Sequence, residues 1–235
     1  MVFDAEERAR FLDPEGRPRH PEQLPWELLY RLEPELYARL VAGERLHPAI
    51  IDWLPARSRQ VLEIGAGTGR LTLDLAPRCD HLTAVEPAAP LRRRLAERVH
   101  AAQLSQVEVT HGFFDALPVS PASCDVVVSC SAFAPGSMAA PERCLEAMES
   151  RCVGGGLVVV VWPNQVDWLR DHGFERIVFD GSMSVEYASV SEALEMARIF
   201  YPAAVDAVAR RASRFVDYDV LGIGPPRDLC WKRVA

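Results

Sequence analysis

The sequence lacks any apolar run approaching the about 20 residues that a bilayer-spanning helix needs. Its opening residues, Met1-Val2-Phe3-Asp4-Ala5-Glu6-Glu7, hold no basic region followed by an apolar one, so no secretory signal is expected. The six cysteines (79, 124, 130, 144, 152 and 230) form no C-x-x-C pair and no zinc-ligand spacing. Several sit in apolar runs, where cysteine acts as a small hydrophobe, and the expectation is a reducing cytoplasm without disulfides. Positive charge is not in excess either. With 26 basic against 33 acidic residues the net charge is −7, which gives no long-range pull toward nucleic acid or an anionic membrane. A nucleic-acid partner is disfavoured on that ground, though a local basic patch would suffice for one. Repeats and low-complexity tracts are absent. The 235 residues are 49% hydrophobic and 25% charged, enough for one large α/β domain with a sizeable core.

What is present is organised around Val61-Leu62-Glu63-Ile64-Gly65-Ala66-Gly67-Thr68-Gly69-Arg70. An apolar run meets glycines at alternate positions, and an apolar pattern at Leu71, Leu73, Leu75 and Ala76 follows at once. This reads as a buried strand, a tight turn and the start of a helix. Glycine reaches backbone angles closed to other residues and lets a ligand lie against the main chain. The helix start adds free N–H groups and partial positive charge. The spacing is not the pyrophosphate-binding G-x-G-x-x-G: counted from Gly65, the third glycine comes one residue early and Arg70 stands in its place. Glu63 at the strand end would repel a pyrophosphate, which also disfavours a nicotinamide reductase. It suits a ligand with positive charge and no phosphate, such as S-adenosylmethionine (SAM). The next strand, Leu82 to Val85, ends in Glu86-Pro87, where a carboxylate commonly accepts from ribose hydroxyls.

On Val61 to Arg70, Ala84 to Pro87, Gly112 to Pro118, Cys124 to Ser129 and Gly154 to Pro163, in that order and spacing, the sequence resembles the class I SAM-dependent methyltransferases. The resemblance covers residues 50–180, in round figures, and the last strand. It implies a Rossmann-like three-layer α/β/α sandwich around a seven-stranded, mostly parallel sheet, its last strand antiparallel and hairpinned with the sixth. Residues 1–50 would form an arm and helical lid, and 51–235 the SAM-binding domain, with a helical insertion at about 181–212. Gly65, Ala66, Gly67 and Gly69 would frame the methionine part, Glu63 stabilise it, Glu86 with Pro87 hold the ribose, and Ser129 face the transferable methyl. Family members read G-D-A-x-x-L-P in the loop after the third strand. Here Phe113 stands at the aspartate, and Asp115 with Phe114 is expected to receive the adenine.

The loop that faces the methyl group, Ser129 to Phe133, is silent about the acceptor. It has no [DN]-P-P-[YF] motif, no Pro-Cys nucleophile and no metal-binding acids. Cys130 has no histidine placed to activate it. No catalytic base and no metal ligand can be named. Tyr37, Cys130 and Phe133 are the substrate-facing candidates, with Tyr30, Arg45 and His47 as further lid residues. Polar, turn-rich residues 1–24 are expected to be partly disordered, and Pro34 to split the helix after Pro25. Trp26 and Trp231 read as core, and His172 as a helix-end cap. Arg92, Arg93, Arg94 and Arg98 read as a solvated helix face, as do Arg210, Arg211 and Arg214. Val216 to Ile223 alternates like a strand. Three readings stay open: a methyltransferase for a small-molecule O- or N-acceptor, one acting on RNA or protein, and a SAM-binding member without catalysis. The chain could be a monomer or a homodimer.

Overall fold

The computed structural model describes residues 2–235. Four helices come first: α1 (Ala5–Phe11), α2 (Leu24–Leu32), α3 (Pro34–Ala42) and α4 (Pro48–Trp53). Then follow β1 (Ser58–Ile64), α5 (Thr72–Leu75), β2 (Cys79–Val85), α6 (Ala89–Ala101), β3 (Val107–Thr110) and β4 (Cys124–Cys130). After these come α7 (Pro141–Arg151), β5 (Cys152–Val161), α8 (Val166–Asp171) and β6 (Glu175–Val178). The chain continues through β7 (Ser184–Glu186), α9 (Val190–Phe200), α10 (Val205–Arg211), β8 (Phe215–Asp217) and α11 (Tyr218–Leu221) to β9 (Asp228–Arg233).

The central strands are apolar on both faces because both faces are covered. Leu62, Ile64, Val127, Val158 and Val160 join a core cluster with Leu145 and Met148 of α7 and Leu169 of α8. Their neighbours Val61, Val126, Val128, Val159 and Val161 join a different one with Ile50 of α4 and Leu75 of α5. Side chains alternate along a strand, so each strand feeds both layers. The seven-stranded sheet runs β3-β2-β1-β4-β5-β9-β6. The pairings from β3 to β5 are parallel, and β9 lies antiparallel between β5 and β6. Strand order reverses between β1 and β4, and in open α/β sheets ligands settle beyond the carboxyl ends of strands at such a switch point.

Four sequence expectations change. The arm is ordered: Asp4 and Glu7 form a capping box on α1, Glu7 is buried, and its carboxylate meets Arg31 of α2 at 2.8 Å. Trp26 is 44% exposed and stacks on Phe200 of α9 at 6.2 Å, so it ties two helices together at the surface instead of filling the core. Only Val216 and Asp217 of the alternating stretch are strand, within Phe215–Asp217; that strand pairs with β7 in a separate two-stranded ribbon, and a helical turn follows. The segment between β6 and β9 is therefore a ribbon with helices, and β6 and β9 are not a simple hairpin. Pro34 does split α2 from α3. No helix among the described residues is long and apolar enough to cross a membrane.

Candidate functional site

The glycine turn joins β1 to α5 at the switch point. Gly65 has φ 73° and Gly69 φ 92°, both in the left-handed region. A Cβ on Gly65 would lie 2.4 Å from the Ala132 Cβ, and one on Gly69 would lie 2.6 Å from Leu95 Cδ1 of α6. The first glycine thus lets the loop after β4 approach, and the last lets α6 pack. The helix behind the turn begins only at Thr72 and lasts four residues, shorter than the apolar pattern predicts. Its dipole is correspondingly small. The turn is held instead by backbone bonds from Gly65 and Ala66 to the Val85 carbonyl, at 2.9 and 3.0 Å.

Two carboxylates flank the turn. Glu63, 1% exposed, accepts from the Thr72 hydroxyl at 2.6 Å. Glu86, 5% exposed, accepts from Gly67 N and Ala88 N, each at 2.8 Å. Burial pushes the Glu63 carboxyl up to about 8, against the Thr72 bond and with the Glu86 charge adding to the rise. Burial likewise lifts Glu86 to about 7, opposed by the Ala88 and Gly67 bonds. Neither has an ion-pair partner among the described residues. A buried acid without a cation is costly, and a ligand bringing positive charge and hydroxyl groups would relieve both. Ser129, fully buried at the end of β4 beside Ile64, has a hydroxyl without a partner.

Arg93 of α6 is exposed, as expected, but Arg92, Arg94 and Arg98 are not merely solvated. Arg92 Nη1 donates to the carbonyls of Glu86 and Pro87 at 2.8 and 2.9 Å, and Arg98 Nη1 to that of Thr68 at 2.5 Å. They clamp both halves of the site, while Arg94 pairs with Glu35 of α3. Arg211 pairs with Asp217, and Arg214 with Glu186 at 3.2 Å.

In the loop at Gly112 to Pro118 one phenylalanine turns inward and its neighbour packs under the arm. Phe114 packs against the core and meets Phe133 at 5.4 Å. Phe113 lies under the Arg10 guanidinium, whose central carbon is 4.0 Å from the ring centre. Asp115 accepts from Arg10 Nη1 at 2.6 Å, so one of its oxygens is already engaged. Arg10 belongs to the arm and gives no local sequence signal.

Of the substrate-facing candidates, Phe133 is core: it is 1% exposed between Phe114 and Trp168. Tyr37 sits with its hydroxyl close over Gly67 and its ring edge-on to Tyr30 at 4.8 Å. Burial raises both phenols. Burial also pushes the Cys130 thiol up to about 12, with nearby Arg70 opposing, so it stays protonated. His47 caps α4 by accepting from Ala49 N at 3.2 Å and stacks on Phe179. Arg45 points to solvent, 3.8 Å from Glu186. His172 closes α8, its Nδ1 2.8 Å from the Trp168 carbonyl. Trp231 is partly buried against Trp53. Sequence reasoning passed over Arg70, Glu44 and Trp162. Arg70 Nη2 donates to the buried Glu44 at 2.9 Å, and its guanidinium carbon lies 5.2 Å from the Trp162 ring centre.

Residues 61–156 match the methyltransferase-domain family. An uncharacterized methyltransferase of Mycobacterium tuberculosis is 33% identical over 138 residues, 57% of this chain and 53% of that protein. The ribosomal RNA small subunit methyltransferase A of Bordetella pertussis is 48% identical over 54 residues, 23% of this chain and 20% of that protein. The crystal structure of a SAM-dependent methyltransferase from Aquifex aeolicus superposes with a TM-score of 0.51 at 15% identity, over 66% of this chain and 93% of that one. At that identity the likeness is one of fold. The chain spans about half the length of the mycobacterial relatives it matches.

Proposed function

We propose that this chain, whose residues 61–156 match the methyltransferase-domain family, is a class I SAM-dependent methyltransferase that binds SAM at its glycine turn and transfers the methyl group to a small-molecule O- or N-acceptor. The pair of sealed, cation-free carboxylates, Glu63 and Glu86, carries this reading. Glu86 spends two acceptor sites on Gly67 and Ala88, and a carboxylate has about four, which leaves room for ribose hydroxyls. Glu63 supplies negative charge at the methionine end, framed by Gly65, Ala66, Gly67 and Gly69. Pro87 borders the ribose, Ser129 offers its free hydroxyl at the end of β4, and Phe114 with Asp115 lies on the adenine side.

When bound, SAM supplies a methyl group on a sulfonium, an excellent leaving group. The chain's own work is then alignment and exclusion of water. Protonated Cys130 is no nucleophile, and a base is needed only where the acceptor must first lose a proton.

The small-molecule assignment rests on enclosure. The N-terminal helices meet the segment between β6 and β9 through Trp26 on Phe200 and through Arg39, which bonds Glu192 at 2.9 Å and Glu195 at 2.7 Å. Lid and insertion thus join above the strand ends. Isothermal calorimetry with S-adenosylhomocysteine (SAH) and with ATP tests the cofactor. One-to-one SAH binding with no ATP binding is expected; ATP without SAH would overturn the proposal. Tight, salt-dependent binding of RNA would reassign the acceptor.

A further inference from the structure

The segment between β6 and β9 carries tyrosine hydroxyls toward the methyl-transfer site. In the ribbon, Val185 of β7 pairs with Val216 of β8. Tyr187, just past β7, and Tyr218, the first residue of α11, join the same apolar cluster as Val185 and Val216, and they are 3% and 1% exposed. They lie in an apolar cluster with Leu40 of α3 and Met196 of α9, yet neither hydroxyl has a hydrogen-bond partner. Arg70 stands between them and the glycine turn. One side of its guanidinium meets Glu44, and the other nitrogen, Nη1, is sealed from solvent and unpartnered. The Trp162 ring lies 5.2 Å from that guanidinium and meets the Tyr218 ring edge-on at 6.1 Å. Trp162 and Ser131, just past β5 and β4, hold φ of 50° and 54°. Non-glycine residues in that region collect at functional sites, where the surroundings enforce them.

Leaving a buried N–H or O–H unpaired is costly. Three such groups around the Arg70–Glu44 pair and its apolar neighbours call for a partner. We propose that Arg70, Tyr187 and Tyr218 anchor the methyl acceptor, and that the acceptor is an aromatic compound bearing oxygen and no negative charge, a phenol in its simplest form. This rests on the methyl-transfer reading above. An acceptor atom is required because Arg70 Nη1 can only donate, and a phenol oxygen supplies one. An aromatic body matches the Trp162 and Tyr218 rings that wall the place. Negative charge is excluded by balance. Glu44 already neutralises Arg70, and Glu63 and Glu86 stand close by without cations, so a further anion would enter a region rich in buried acids.

Calorimetry on the SAH-saturated protein tests this with 4-ethylphenol, ethylbenzene and 4-ethylbenzoate. The phenol is expected to bind at least tenfold more tightly than the hydrocarbon and more tightly than the acid. Tyr218→Phe and Tyr187→Phe should each erode that preference several-fold, leaving SAH affinity within about twofold; Arg70→Gln should abolish it. Because the tyrosine hydroxyls are unpaired, ligand-free Tyr218→Phe should melt at or above the parent temperature. Equal binding of phenol and hydrocarbon, or tighter binding of the benzoate, would overturn the proposal. So would a Tyr218→Phe variant that melts several degrees lower and keeps full discrimination. Failure of SAH itself to bind would instead overturn the cofactor reading, and this inference with it.

Discussion

Arg10 lies 4.0 Å above the Phe113 ring, 103 residues away in the chain, where a family aspartate is replaced. The same guanidinium bonds Asp115. The arm thereby fixes the loop assigned to the adenine. Arg10→Ala removes a half-buried ion pair and a cation–π contact, together about 1 kcal/mol. SAH affinity should fall roughly fivefold, with protease cleavage appearing in 112–118. Unchanged affinity and an uncut loop would show that the arm only packs.

The raised carboxyls give a pH dependence whose sign is fixed. Glu63 and Glu86 move from an ordinary 4.5 to about 8 and about 7 on folding. Between those values the folded state holds more protons than the unfolded one, so stability falls as pH rises. The ligand-free protein should melt highest below pH 4.5, as far as these groups decide, and lose stability through about 8. A bound cation reverses the preference, because it favours both carboxylates. The rise in melting temperature on adding SAM should grow from pH 5.5 to 7. A Glu63→Gln variant should flatten both trends.

Glu86→Ala should weaken SAH binding at least tenfold, from two lost charge-assisted bonds of about 1.5–3 kcal/mol each. Circular dichroism would confirm a folded variant, and calorimetry at unchanged affinity would remove Glu86 from the site.

Gly65→Ala should destabilise the protein by about 2 kcal/mol or more, from a positive φ and a Cβ placed 2.4 Å from that of Ala132. Adding Ala132→Gly should recover only the steric part. Full recovery in the double-mutant cycle would mean that the backbone angle costs nothing.

Cys130, its thiol held up to about 12, should resist iodoacetamide in the folded protein at pH 8, and Cys130→Ala should keep methyl transfer within about threefold. Rapid labelling at that position, seen by mass spectrometry, would reopen a nucleophilic role.

The sheet was legible because its signals are local. Alternating or continuous apolar runs at Val61, Leu82, Val126 and Leu157 meet turns rich in glycine and proline, and each becomes a strand. Glu63 and Glu86, the acids proposed to hold the cofactor, stood out because one lies inside such a run and the other follows one directly. What failed to show depends on partners far away in the chain. Arg10 reaches Asp115 across 105 residues, and Trp26 finds Phe200 on a helix formed much later. The ribbon strands are three residues each, too short for periodicity to declare. Arg70 stood in plain view beside the glycines, yet its importance comes from Glu44 and Trp162, which only folding brings to it.

β9 has an ordering consequence. It is the last strand in sequence and sits between β5 and β6, with β6 paired to nothing else in the sheet. As a ribosome delivers the chain, everything through β5 can assemble early, but β6 and all that hangs between it and β9 must wait for residues 228–233. The tyrosine-bearing roof is thus the last part to gain a fixed position. A nascent protein would hold the cleft proposed for SAM before it held the proposed acceptor anchor.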